Sequence, residues 1–163
     1  MQESVADEVL ERLKRRMSTL RMGDPLDKNT DVGAINSGEQ LKRIRELSEV
    51  GDAEGAERWE VACDLPTKGF WFPPTVFTGV SQAHRIAREE IFGPVLCMIG
   101  YDDDDDAVRI ANDSEFGLAG SVWTGDTELG MDVARRVRTG TYGVNKYSMD
   151  FVAPFGGFKA SGI

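Results

Sequence analysis

From Val95 onward the chain switches hydrophobic period again and again, and that switching constrains the fold more than any single motif. Val95–Tyr101 is a nearly continuous apolar run, the pattern of a strand buried on both faces. Ala107, Val108, Ile110 and Ala111 mark a short helix, and Leu118–Trp123 reads as a strand. Leu129, Val133 and Val137 then mark a helix from about Thr127 to Arg138, and Gly140–Asn145 is a last strand. Strand, helix, strand, helix, strand in this order predicts an α/β fold whose mostly parallel open sheet is flanked by helices.

The first half supplies two more helices. Val5, Val9, Leu10, Leu13, Met17 and Leu20 recur at helical spacing, with Glu8, Glu11, Arg12, Lys14, Arg15 and Arg16 on the other face. Ser4 with Asp7 resembles a capping box at the start, and Gly23-Asp24-Pro25 ends the segment. A short extended piece is expected around Val32 to Ile35. A second helix is predicted from Ser37, with Gln40 closing a capping box, and it fades near Gly51. Trp59–Cys63 reads as a strand and Asp64–Gly69 as a turn-rich insertion. In Phe70–Phe77 the two prolines rule out a helix interior and a central strand position.

Length and charge narrow the partners. At 163 residues the chain fits a prior of about 150 residues per domain, so a single domain over 1–163 is expected. The formal net charge of −9 argues against nucleic acid and anionic membrane surfaces, both of which are polyanions. Val95–Ile99 is far too short to cross a bilayer, and Met1-Gln2-Glu3-Ser4 has no basic or apolar signal character. The expected compartment is the cytoplasm. Cys63 and Cys97 make no CxxC, and His84 is the sole histidine, so no multi-histidine metal site is expected.

Several familiar chemistries lack their motif. GxGxxG, the P-loop, GxSxG and HExxH are all missing. Asp102–Asp106 fails the EF-hand template, which needs Gly and Glu where Ala107 and Asp113 stand. Those aspartates are better read as complementing a helix dipole. Cys97 lies in the buried strand pattern and is expected to be an inert packing thiol. Cys63 is expected to be more exposed but has no activating base nearby, and His84 reads as a surface residue.

Two segments stay open on physics alone. In Glu89-Glu90-Ile91-Phe92-Gly93-Pro94 a carboxylate pair and an aromatic ring precede a buried strand, and Glu90 reads first as a solvated loop charge. In Pro154-Phe155-Gly156-Gly157-Phe158-Lys159 the glycines permit close backbone approach. Its aromatics either line a pocket or cover the core.

Taken in order, these segments resemble the NAD(P)-dependent aldehyde dehydrogenase family. The resemblance is carried by Gly23-Asp24-Pro25, Pro74-Thr75-Val76-Phe77, Glu89-Glu90-Ile91-Phe92-Gly93-Pro94-Val95, Ala111-Asn112-Asp113 and Gly117-Leu118. Val122-Trp123-Thr124, Gly140-Thr141, Val144-Asn145 and Pro154-Phe155-Gly156-Gly157 continue it. It covers essentially the whole chain, which resembles most of the family's catalytic domain, toward the C-terminal end of a full enzyme. In that family a cysteine thiolate attacks the aldehyde, hydride passes to the nicotinamide, and a glutamate-activated water hydrolyses the thioester.

The resemblance implies NAD or NADP as cofactor in the intact enzyme and an aldehyde as substrate. It implies that Glu90 binds the nicotinamide ribose, that Phe92 packs near the nicotinamide, and that Asn145 supports the catalytic site. Phe151 and Phe155 would face the substrate tunnel. No metal is implied. The nucleophilic cysteine, the glutamate base and the nucleotide-binding domain have no counterpart in 1–163, so the chain alone is expected to be inactive. Lys146 departs from the small or polar residue expected there, and its charge would alter the tunnel. A homo-oligomer, or association through apolar surface at the sheet edge and near Trp71 and Phe72, is expected. A stand-alone interaction module and a gene remnant are the competing readings.

Overall fold

The computed structural model describes residues 1–147, 152 and 154–162. The chain divides into two compact units, Met1–Gly100 and Tyr101–Ile163.

In the first unit, α1 (Glu3–Met17) and α2 (Gly38–Ala53) precede β1 (Glu57–Glu60), β2 (Thr75–Val80), the single-turn α3 (Arg85–Arg88) and β3 (Val95–Ile99). The sheet order is β1-β2-β3, with β1 antiparallel and β3 parallel to β2. Alternation along β2 builds two cores. Val76 joins Met17 and Val61, with Leu10, Leu13 and Trp59 packed around them. Phe77 joins Leu41, Ile44, Leu47, Phe72, Ile86 and Ile91. The sheet is thus covered by α1 on one face and α2 on the other.

Several sequence expectations shift here. Gln2 rather than Ser4 caps α1, and it makes no side-chain cap bond. The Val32–Ile35 piece is reduced to one bridge, Met22 to Val32. β2 is the central strand despite the prolines, because Pro73 and Pro74 lie just ahead of it and not within it. The Pro74 carbonyl accepts from Val61 N at 3.0 Å, so the missing donors cost no ladder bond. β3 is not buried on both faces: Leu96 is 50% exposed, although its ladder partner Val76 on β2 is fully buried. Phe72 is buried in the core and Trp71 is half-buried, its Nε1 donating to Lys68 O at 2.8 Å, so the apolar exposure expected near them falls on the adjoining Phe70, which is 44% exposed.

The second unit holds α4 (Asp104–Asn112), β4 (Ala119–Val122), α5 (Thr127–Arg136), β5 (Thr141–Val144) and a 3-10 turn (Lys159–Ser161). β4 and β5 pair in parallel, Ala119 opposite Thr141 and Val122 opposite Val144. The aspartate run is used locally: Asp103 Oδ1 accepts from Asp106 N at 2.8 Å, Asp106 pairs with Arg109, and Asp105 pairs with Arg136. α5 lies so close to the pair that a Cβ on Gly130 would sit 2.7 Å from Val144.

Among the described residues no helix is long and apolar enough to cross a membrane.

Candidate functional site

The segment Glu89–Pro94 is a loop with an inside and an outside. Ile91 is buried in the α2-side core, whereas Glu90 is exposed and Phe92 is 73% exposed. One apolar anchor therefore throws a carboxylate and a ring outward together. Phe92 sits at φ 51°, in the left-handed region that a bulky side chain rarely adopts. A Cβ on Gly93 would come within 2.7 Å of Ile44 Cδ1, so only glycine lets the loop lie this close to α2.

α2 supplies the polar ties. Gln40 Nε2 donates to Ile91 O at 2.8 Å and to Phe92 O at 3.2 Å. Both partners are carbonyls, so the nitrogen of the amide must face them. Ser37 Oγ accepts from Gln40 N at 3.1 Å, which gives one arm of the expected capping box. The other arm is diverted, because the Gln40 side chain reaches the loop. Glu89 is held by Arg85 at 2.7 Å and by Arg43 at 3.5 Å. The bond from Arg85 keeps its carboxyl below the usual range. Asn36, Ser37, Gln40 and Arg43 also line a surface groove of about 350 Å³ beside this loop. Sequence reasoning missed Gln40 and Arg43 as site residues. Their fold partners lie about fifty positions away, so no local signal marked them.

In the second unit, Asn145 follows β5 at φ 53°. Its Oδ1 accepts from Thr124 N and its Nδ2 donates to Thr124 O, both at 2.8 Å. The side chain copies a β-ladder pair and extends the sheet by one step beyond Val122 and Val144. One N–H and one oxygen lone pair of its amide are thereby engaged, which makes Asn145 a holder of the strand ends. Lys146 and Tyr147 follow it and are exposed, as is Trp123 beyond β4. They stand at the carboxyl ends of two parallel strands, where α/β folds gather ligands.

The Pro154–Gly157 segment packs by backbone. A Cβ on Gly140 would overlap the Gly156 carbonyl oxygen, and Phe158 N donates to Gly117 O at 2.9 Å. Phe155 is 74% exposed and so does not cover the core of its unit. Phe151 lies outside the described residues. Glu90 and Phe92 share one loop of the first unit; Asn145 and Phe155 belong to the second.

Both thiols are poor nucleophiles. Burial pushes Cys97 up to about 11, and its Sγ donates to Ile86 O at 3.4 Å. Burial, then Asp64 and Glu60, raise Cys63 as well. His84 is held at both ring nitrogens: its Nδ1 accepts from Ser81 N at 3.0 Å and its Nε2 lies 3.2 Å from Glu54 O.

These features define an α/β segment that presents an acid–aromatic loop beside a polar groove and a second set of aromatics at parallel strand ends. The chain belongs to the aldehyde dehydrogenase family, whose profile matches residues 1–163. It is 43% identical over 157 residues to the geranial dehydrogenase of Castellaniella defragrans, covering 96% of this chain and 33% of that protein. It is 40% identical over 162 residues to the 3-succinoylsemialdehyde-pyridine dehydrogenase of a Pseudomonas species, covering 98% of this chain and 34% of that protein. Among solved structures it is similar to the Mycobacterium tuberculosis aldehyde dehydrogenase complexed with NAD+. The TM-score is 0.92 and the identity 42%, covering 99% of this chain and 34% of that one. The chain thus spans about a third of the length of the relatives it matches.

Proposed function

We propose that residues 1–163 form part of the catalytic domain of an enzyme that oxidises aldehydes to carboxylic acids with NAD or NADP. The observation that carries this reading is the loop in which buried Ile91 presents exposed Glu90 and Phe92 beside the α2 groove. The donor set suits a nicotinamide riboside. A carboxylate accepts hydrogen bonds from vicinal hydroxyls, and an exposed aromatic ring offers a flat apolar face to the nicotinamide. That cofactor, when bound, accepts the hydride.

The chain's own residues bind and orient. Glu90 fixes the ribose, Phe92 limits the tilt of the ring beside it, and Asn145 holds the ends of β4 and β5. Phe155, and Phe151 by family resemblance, line the aldehyde's path. Lys146 sets a positive charge near it. Neither Cys63 nor Cys97 stands at the family's nucleophile position, and burial raises both thiols, so the nucleophile is assigned to sequence outside 1–163. Exposed apolar side chains such as Leu96, Leu118 and Trp123 favour association, and a homo-oligomer in the cytoplasm is the proposed setting.

The test is aldehyde-dependent reduction of NAD and NADP by the full-length protein carrying this chain. Glu90→Gln there is expected to weaken cofactor use about tenfold in kcat/KM, the worth of one charge-assisted hydrogen bond. The isolated chain is expected to show no turnover. Absence of turnover by the full-length protein with any of a panel of aldehydes would sink the reading.

A further inference from the structure

We propose that Gln40 is a positioning residue for the cofactor contact: its side-chain amide holds the Ile91–Phe92 turn in the one conformation that presents Glu90 and Phe92 outward together. The proposal rests on the function reading above.

The geometry of the turn carries it. In extended backbone, successive carbonyls point to opposite sides of the strand. Here the carbonyls of Ile91 and Phe92 converge on a single nitrogen, at 2.8 Å and 3.2 Å. That convergence fits the left-handed φ of 51° at Phe92, a conformation that needs outside support in a non-glycine residue. The neighbouring ties act elsewhere. Arg85 and Arg43 grip Glu89, Ile91 is buried in the core, and Pro94 O accepts from Thr75 N at 2.8 Å. Gln40 alone, among the described residues, donates to the carbonyls on both sides of the Phe92 Cα. Without it those two oxygens turn to water and Phe92 relaxes to negative φ. The ring and the Glu90 carboxylate then no longer share one face.

A hydrogen-bond clamp and a steric filler respond differently to chemistry. Gln40→Glu keeps the size but removes the donor and sets a carboxylate against two carbonyls. Gln40→Leu keeps most of the volume and offers neither donor nor acceptor. Gln40→Lys supplies an ammonium with donors to spare. Two readouts are needed: hydrogen exchange of the 89–96 segment in the cofactor-free protein, and steady-state kinetics of the full-length protein.

The expected result for Gln40→Glu and Gln40→Leu is exchange about tenfold faster and a KM for NAD about tenfold higher, with Gln40→Lys near wild type. The KM for aldehyde should stay within about twofold, because the turn meets the cofactor and not the aldehyde. A raised KM for NAD with unchanged exchange would mean that Gln40 touches the cofactor directly, and it overturns positioning. Faster exchange with an unmoved KM for NAD overturns it too, as does an equal loss in all three variants that tracks Tm. If the wild-type protein oxidises no aldehyde, the function reading fails. Exchange alone then judges the clamp: acceleration in Gln40→Glu supports it and no change overturns it.

Discussion

The two units hold their candidate site residues by different means. In the first unit the Glu89–Pro94 loop is rooted in a core: Ile91 packs with Ile44, Phe77 and Ile86, and ion pairs and an amide clamp finish the job. In the second, the buried apolar side chains among the described residues are Val108 and Val133 alone, while the first unit holds all the others. Asn145 is fixed by its side-chain amide on the Thr124 backbone, and the Pro154–Gly157 segment by glycines that admit close approach. A unit of this size with so thin a core is marginal by itself. Leu118, Trp123, Tyr147 and Phe155 remain exposed on it. The lesson is that the first unit positions its loop with its own packing, whereas the second needs cover to keep its strand ends in place.

The strongest way to break that contrast is to measure local stability directly. Native-state exchange should protect the amides of β2 at least about a hundredfold more than those of β4 and β5. Equal protection in the isolated chain would erase the distinction.

Truncating each core sharpens it. Ile44 is fully buried and touches both the core and the loop, so Ile44→Ala is expected to cost about 2–5 kcal/mol and to free the loop. Val133→Ala removes less from a smaller core and should cost about 1–2 kcal/mol, with no change in exchange at Ile91. Urea unfolding with an exchange readout checks both. Loss of loop protection in Val133→Ala would show that the two are not independent.

A smaller effect separates side chain from backbone at Asn145. Asn145→Ala loses both bonds to Thr124 and leaves a side chain at φ 53°, for an expected cost of about 1–2 kcal/mol. Asn145→Gly loses the same bonds but relaxes the backbone, so it should be milder. If glycine proves as costly as alanine, the left-handed turn carries no strain and the amide bonds explain the whole loss.

How much of this was legible in the sequence follows from range. Period changes report which face of an element is buried, so the α/β order and the helix starting at Thr127 can be read directly, although that helix ends at Arg136 and not at Arg138. β2 was misjudged because prolines weigh on the residues they occupy, and here they end one position before the strand. The exposure of Leu96 on β3 escapes the sequence because an apolar run does not say what packs over each face of a strand. The resemblance drew attention to Glu90, Phe92 and Asn145. Nothing local could assign Gln40 to the loop, since a capping position and a long-range donor look alike in one dimension. Nor could it foretell that Asn145 occupies its amide on Thr124.

The smallest expected effect concerns Cys97, which joins the first unit's core from β3. Burial raises its thiol from 9.0 to about 11. A folded-state pKa above the unfolded value means that the unfolded chain ionises first. The stability from this group is therefore fully present below about pH 9 and is lost as pH rises toward 11. Alkaline melting of the first unit should show this loss, and Cys97→Ser should remove the part of that pH dependence that the thiol supplies. Thiol alkylation gives the kinetic side: near neutral pH both cysteines should react slowly, Cys97 more slowly than Cys63, since burial and the Ile86 carbonyl hold the proton on Cys97. Rapid alkylation of Cys97 in the folded chain would mean that β3 opens readily, and the first unit would lose its claim to be the self-supporting half.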